Sequence, residues 1–506
     1  MNHLKIYSDY LDKINEIAYN DVSLLSNVTL SKNPYTGSEF LKNIIQGGKN
    51  KLNKYMFIKN CLIFFIKNTI YFSLWLIYFF YSKIFFNKKI NFNNNKIILI
   101  DTYFTYNQIN KSHKLNDNYF SQFYNFLDKN QLDYIIIPKI SDTEKSPIKM
   151  LQLLKYLSKL KQKNITEFDI LSFYDIYQIF FFIIKYPFKI QNMIKSIKIK
   201  SNNDDLFIYD LVYTLKNTVF FSHVRYLLGR KLKLKLLNNN VKLISWCEYQ
   251  TIDKNFYKGI KNFNTHIYGC QFLIKYPTLT SCYIPEVDKK HGITPDTILV
   301  NGKYYLPKNS SYIYKIGPPF RYKNIIEFDR TQINNINTKL LVMLPYVQSD
   351  AFNIINILKE SDFFSSSKID FKIHPDYTSN ESLYKKLMSS NWKIIKEIER
   401  INNYGFLISS GSGTLMEFAA IGLSVIIIKS KLSFTTNPMP EYGKKTIWDI
   451  AGDKTSLEEK YKNLLENRKN NFSKIKAISS FYLESFFSSI NDDKILKNFD
   501  LQKWIN

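Results

Sequence analysis

The sequence predicts an α/β protein made of two parallel-sheet domains, and three observations carry that prediction. Short apolar runs recur and stop at polar residues, as at 96–101 (KIILID), 133–138 (DYIIIP), 241–250 (VKLISWCEYQ), 339–344 (KLLVML) and 406–409 (FLIS). Strands buried on both faces of a parallel sheet read this way, because neither face meets water. Helical patterns fall between the runs, at 117–129, 147–162, 212–238, 351–361 and 457–467. Strand–helix alternation is the signature of parallel pairing. A polar, Asn-punctuated stretch at 318–337 separates two such series and reads as the linker between them.

With 506 residues the chain has room for two to three domains, each with its own core. We divide it into an N-terminal region (1–92), a first α/β domain (93–330), a second α/β domain (338–470) and a C-terminal segment (471–506). The last carries amphipathic helix without a motif and can cross back onto the first domain. Residues 1–50 show weak helical patterning and no chemistry.

Between 61 and 86 an uncharged run, 68–82 (NTIYFSLWLIYFFYS), is flanked by apolar residues and lysines. Fifteen helical residues span about 22 Å, short of a hydrocarbon core of about 30 Å. Trp75 and several Tyr suit an interface. The segment reads first as a helix lying on a membrane surface, with a buried core helix and a true span as alternatives. A span needs Lys67 or Lys83 to snorkel. Further strands of the first domain are expected at 206–210, 266–271, 296–303 and 312–317, with a buried helix at 179–184. In the second domain a strand at 369–373 is ended by His374 and Pro375.

A composition 45% hydrophobic and 16% aromatic excludes a disordered chain. The net charge of +27 suits acidic partners such as nucleotides, anionic lipid or acidic glycans, although heavy use of Lys makes part of it background. Arg is scarce and no basic–aromatic motif is present, so nucleic acid is not an expected partner. Cys61, Cys247, Cys270 and Cys282 form no C-x-x-C, which argues against a zinc site or disulfide scaffold and fits a cytoplasmic protein. The first residues show no signal peptide.

The stretch 406–428 reads as strand, Gly/Ser turn, short helix and second strand. Free backbone N–H groups and the dipole at such a helix start favour a phosphate. Gly411 and Gly413 let the backbone approach a ligand. Ser409, Ser410, Ser412 and Thr414 offer hydroxyls, and Glu417, one turn on, can reach a ribose. Neither the P-loop nor the dinucleotide fingerprint is matched. A plain tight turn in any α/β sheet would use the same residue types. Three features fall at strand carboxyl ends in the second half: 345–349 (PYVQS), His374 with Pro375, and 409–414 (SSGSGT). Open parallel sheets present those ends to their ligand crevice, so all three can converge on one nucleotide phosphate. His374 can donate to a phosphate oxygen and favour the leaving nucleotide.

A strand ending in His-Pro, then a Ser/Gly-Thr turn into a Glu-bearing helix, resembles the nucleotide-binding half of GT-B glycosyltransferases. The likeness is to surface-polysaccharide enzymes that use CMP-activated sugars, such as sialyltransferases and Kdo transferases. The same motifs also look like CDP-glycerol and CDP-ribitol phosphotransferases. In the first half, 246–250 (WCEYQ), Asp253, Lys254, Lys258, Gly259, 267–269 (IYG), Pro295, Asp296 and 300–303 (VNGK) resemble surface carbohydrate biosynthesis proteins.

The resemblance implies a GT-B-like fold with a nucleotide-sugar donor in the second domain and a glycan or lipid-linked acceptor in the first. It implies metal-independent chemistry without a resident cofactor. The acidic motif that supplies the sialyltransferase base is missing, so the base is sought elsewhere: Glu248 at a strand end, then Asp253. A charge satisfied by Lys254 or Lys258 is the plainer account of Glu248. The expected setting is the cytoplasmic face of the inner membrane. A CDP-polyol phosphotransferase, a sugar-nucleotide epimerase and a non-catalytic assembly protein are the other classes compatible with these residues.

Overall fold

The structure, a computed structural model, describes residues 54–505 apart from 87, 89–91, 93, 110–114, 116, 142–145, 198–207, 210, 277–283, 334–336, 375–379, 399 and 432–434. The readings made for 1–50, for Cys282 and for Pro375 lie outside the described residues.

The first sheet holds β1 (Lys96–Phe104), β2 (Tyr134–Ile140), β3 (Asn240–Trp246), β4 (Thr265–Gln271), β5 (Thr297–Val300) and β6 (Ile313–Ile316). All pair in parallel, in the order β2-β1-β3-β4-β5-β6. The second holds β7 (Leu340–Met343), β8 (Ile369–Lys372), β9 (Trp392–Ile395), β10 (Phe406–Ser409), β11 (Ser424–Ile428) and β12 (Trp448–Ala451). Its order is β9-β8-β7-β10-β11-β12, again all parallel. Counted within the domain this is 3-2-1-4-5-6, the order of a Rossmann domain. The predicted α/β arrangement of two Rossmann-like parallel-sheet domains is what the chain adopts.

The helices that matter to the site are α1 (Lys54–Phe85), α2 (Ser121–Lys129), α3 (Pro147–Lys159), α4 (Phe173–Ser196), α5 (Phe220–Lys235) and α6 (Thr251–Ile260) in the first half. In the second they are α7 (Gln348–Glu360), α8 (Thr414–Ala420) and α9 (Lys454–Asn470), followed by α10 (Phe472–Phe486) and α11 (Asp492–Asn498). The second sheet is covered on both faces. Val342, Ile408 and Ile426 pack with Ile354, Leu358 and Leu457, whereas Leu341, Leu407 and Val425 pack with Leu415, Ala419 and Ile475. That second cluster runs through Tyr322, Ile325 and Ile333 to Leu243 and Ile267 of the first domain, so one apolar core joins the halves. The end of the chain returns to the first domain. Phe499 meets Phe123 at 4.9 Å and Tyr268 at 5.6 Å between ring centroids, and Asn498 donates to the Ile316 carbonyl at 3.1 Å.

Two expectations change. The strand expected at 206–210 is helix wherever it is described, at Ile208, Tyr209 and 211–214. Ile208, Leu211 and Leu215 sit one helical turn apart and enter the core around α1 and α4, so a helical period was hidden in a short apolar run. Trp75, read as an interfacial anchor, is instead buried against Phe79, Phe168 and Phe220. Helix α1 is docked along its length. Asn60 Nδ2 donates to the Val212 carbonyl at 3.0 Å, and Asn68 Oδ1 accepts from the Val219 N–H at 3.2 Å.

Candidate functional site

Strand order reverses between β7 and β10 in the second sheet and between β1 and β3 in the first. Adjacent loops diverge at such points, and a crevice opens at the strand carboxyl ends. The residues singled out in the sequence are distributed around these two crevices.

In the second domain Met343 pairs in register with Lys372 on one side and Ser409 on the other. His374 and the Ser410–Gly411 bend therefore leave the sheet at the same level, two strand spacings or about 10 Å apart, with the β7 exit between them. Tyr346, from that exit, sets its ring edge-on to the His374 imidazole at 5.5 Å.

The hydroxyls of the bend have separate duties. Ser409 is fully buried and its Oγ donates to the Met343 carbonyl at 2.6 Å, tying β10 to β7. This corrects its reading as a donor ligand: its hydrogen is spent within the sheet. Among the described residues Ser410 Oγ is buried at the crevice without a hydrogen-bond partner, which makes it the hydroxyl in need of one. Ser412 Oγ accepts from the Thr414 N–H at 3.3 Å, and Leu415 and Met416 donate to the Ser412 and Gly413 carbonyls. Helix α8 has only seven residues, and these bonds already occupy its first N–H groups. The expected phosphate site at a helix start is thus reduced to the bend itself. The longer α7 is no substitute. Asp350 lies in its first turn, bonded by Ser430 Oγ at 2.7 Å, and would repel an anion.

Gly411 has φ +64°, and a Cβ there would lie 2.8 Å from Thr436 Oγ1, so the bend requires glycine. At Gly413 a Cβ would meet Ile274 of the first domain at 3.1 Å, so the two halves touch at this turn.

The charged group that acts on Glu417 is a cation, Arg321. Burial pushes the Glu417 carboxyl above the usual range, and Arg321 opposes that shift. Arg321 was missed in the sequence because it sits in a single 3-10 turn, Phe320–Tyr322, too short to show a period. The available signal was rarity: it is one of six Arg among 70 basic residues, two residues after Gly317-Pro318-Pro319. Its guanidinium lies 5.7 Å from the Tyr119 ring and 5.9 Å from Trp246, and it retains solvent access although protein surrounds it. The charges of both Glu417 and Glu248 reach it.

Glu248 stands just past β3, at the switch point of the first sheet. Trp246 Nε1 donates to it at 3.3 Å and Gln250 Nε2 donates to its other oxygen. The intervening Tyr249 has φ +55°, a left-handed conformation costing an aromatic residue about 1–2 kcal/mol. Its hydroxyl, bonded to Asp288 at 2.5 Å, holds the turn that folds Gln250 back onto Glu248. Lys254 pairs with Asp288 at 3.5 Å, and Lys258 donates to the His291 carbonyl at 2.5 Å.

Asp253 is corrected as a candidate base. It is fully buried, 2.7 Å from Lys139, and from the first turn of α6 it accepts from the N–H of the capping residue Gln250 at 3.0 Å. Lys139 also meets Asp101 at 3.0 Å, and Asp101 takes Arg225 at 2.6 Å and Ser245 Oγ at 2.7 Å. Two cations and two carboxylates thus balance below the crevice, where no acceptor reaches them. A groove of about 560 Å³ at the opposite edge, lined by Asn240, Thr265 and Asp296, lies at strand starts and not in the crevice.

No family model matches the chain, and no curated protein matches its sequence. Solved structures that resemble it include the UDP-GlcNAc 2-epimerase of Neisseria meningitidis bound to UDP-GlcNAc, 11% identical over 80% of this chain and 99% of that one, with a TM-score of 0.42. The wall teichoic acid polymerase TagF is 12% identical over 89% and 100%, with a TM-score of 0.38. Acinetobacter baumannii MurG is 9% identical over 80% and 99%, with a TM-score of 0.39. These are distant likenesses over most of the chain, and at such identities and TM-scores they carry no argument about its activity.

Proposed function

We propose that the chain is a GT-B-type glycosyltransferase that moves a sugar from a nucleotide-activated, CMP-linked donor to a surface polysaccharide or lipid-linked glycan. One observation carries this reading. Each sheet has a switch point, and the Arg321 guanidinium feels the charge of a carboxylate from each domain, Glu248 just past β3 and Glu417 in the helix that follows β10. The pyrimidine donor lies over the exits of β7, β8 and β10. His374, the Ser410 hydroxyl and Arg321 face its phosphate, and Glu417 faces the ribose. Glu248, at an accessible position between two side-chain donors, takes the proton of the acceptor hydroxyl. That oxygen attacks the anomeric carbon as the bond to the phosphate oxygen breaks. The electron pair leaves on the phosphate, and the three donors stabilise its charge. The donor is a substrate, and no resident cofactor enters the reading. Reaction at the cytoplasmic face of the inner membrane would present a lipid-linked acceptor.

The test is turnover with CMP-, CDP- and UDP-linked donors. His374→Ala should lower turnover at least about 100-fold, with unfolding unchanged, because one oxyanion donor is worth about that factor. Wild-type turnover in that variant refutes the phosphate role. Glu248→Gln should slow the reaction with donor affinity retained, and turnover of a CDP-polyol alone would move the assignment to phosphotransfer.

A further inference from the structure

The sequence placed one apolar segment near the membrane; the structure adds a second, distant one beside it. Helix α1 buries Asn60, Phe64, Asn68, Trp75 and Ser82 on one side. Its other side presents Leu62, Ile66, Ile70, Ile77, Phe80 and Ile84, all exposed and spaced to form one stripe. Helix α4, roughly a hundred residues later, does the same. Asp175, Ile179, Phe182, Tyr186 and Ile190 face inward, while Phe173, Tyr177, Phe180, Ile184 and Phe188 are exposed at three- and four-residue intervals. The two stripes adjoin. Phe80 meets Phe173 at 5.9 Å and Phe72 meets Phe180 at 6.1 Å, with the helices running antiparallel. Soluble proteins rarely leave so many large apolar side chains contiguous.

The exposed charge on the two helices themselves has one sign. Helix α1 contains no acidic residue, and the only one in α4, Asp175, is buried beside Lys231 at 3.3 Å. Lys59, Lys185 and Lys195 are exposed at the margins. We propose that the paired outer faces of α1 and α4 form a monotopic docking surface for an anionic lipid bilayer. The face commits to lipid because the exposed charges on both helices are lysines, and the nearest acidic groups, Glu167 and Asp169, are only half-exposed, Asp169 lying close enough to Lys83 to act on its charge. A second copy would set lysine against lysine, whereas an anionic headgroup layer complements them and the acyl boundary takes the stripes. A span by α1 is disfavoured, since Asn60 and Asn68 bond the domain along its inner side. The stripe from Leu62 to Ile84 runs for about 33 Å, lying along the membrane. This deepens the peripheral placement proposed above, and its test reads attachment without turnover, so either reading can fail alone.

The experiment is co-sedimentation of the full chain with phosphatidylcholine vesicles, with and without phosphatidylglycerol. Wild type should pellet with the anionic vesicles and be released by salt. Phe80→Glu with Phe180→Glu, at residues 45% and 46% exposed, should weaken that association at least about tenfold with an unchanged melt. Phe263→Glu, on an exposed loop elsewhere, should leave it unchanged. If the double Glu variant does not fold, Lys59→Gln with Lys185→Gln, which leaves the apolar faces intact, should weaken binding to anionic vesicles. Wild type remaining in the supernatant, either variant pair binding as wild type, or a dimer that the Phe variants dissolve without any vesicle binding, overturns the proposal.

Discussion

Lys139→Met removes the central cation of the network beneath the first crevice. In the native chain the ammonium is 2.7 Å from Asp253 Oδ1 and 3.0 Å from Asp101 Oδ2, and it donates to the Trp246 carbonyl at 2.6 Å. Methionine keeps the length of the side chain but not its charge. Asp101 retains Arg225 at 2.6 Å, whereas Asp253 loses the cation that balances it. Leaving a buried carboxylate uncompensated costs about 3–5 kcal/mol, a large part of the roughly 5–15 kcal/mol that holds a domain folded. For a domain of this size each kcal/mol moves the melting temperature by about 2–4 °C, so the variant should melt about 6–20 °C lower. Adding Asp253→Leu should recover at least about half of the loss, since an apolar pair of similar volume replaces a buried ion pair without penalty. Thermal unfolding followed by circular dichroism checks both values. A loss below about 1 kcal/mol, or a double variant no better than the single one, refutes the reasoning that Asp253 is a structural group.

Gly229→Ala would place a Cβ 2.6 Å from the Phe256 carbonyl oxygen and 2.9 Å from the Ile260 nitrogen, so α5 and α6 must separate. Packing should cost about 1–3 kcal/mol, against the gain of up to about 1 kcal/mol that alanine brings to a helix, and net stabilisation in urea unfolding would contradict the close crossing. The His223 ring stacks on Phe182 at 3.8 Å, and burial first, then Arg230, pushes its imidazole down to about 3. The unfolded chain then takes up that proton first, so stability is complete above about pH 6.5 and falls as pH drops towards 3. At pH 5 the loss should be about 1–2 kcal/mol and absent from His223→Phe, and equal acid sensitivity in the variant would contradict it. Arg321→Gln should raise the donor KM at least about tenfold, the loss of one charge-assisted contact, and an unchanged KM would remove Arg321 from the donor site.

The sheets were legible because parallel strands buried on both faces cannot hide their apolar runs, as 96–101 and 406–409 demonstrate. The run at 206–210 deceived because five apolar-rich residues carry too little period to separate strand from helix, and its neighbours in the core decided. The burial of Asp253 was invisible for a different reason. Its partner Lys139 is 114 residues away, and only the closed sheet brings them together. The same holds for Arg321, which feels the charges of both Glu248 and Glu417 only in the assembled halves. Ser409 and Ser410 are adjacent in the motif, yet strand pairing spends one hydroxyl and leaves the other open, a distinction set by which face each residue meets. The α1 segment looked ambiguous between core and membrane because it has two unlike sides.

The account turns on whether His374 and the Ser410–Gly411 bend hold one pyrimidine nucleotide. A thermal-shift panel of CMP, CDP, UDP and GDP on wild type and on His374→Ala tests this most directly. At 100 times its dissociation constant, a bound cytidine nucleotide should stabilise wild type by about 2.7 kcal/mol, with the gain lost in the variant. No shift with any nucleotide, or an equal shift in both proteins, would contradict it.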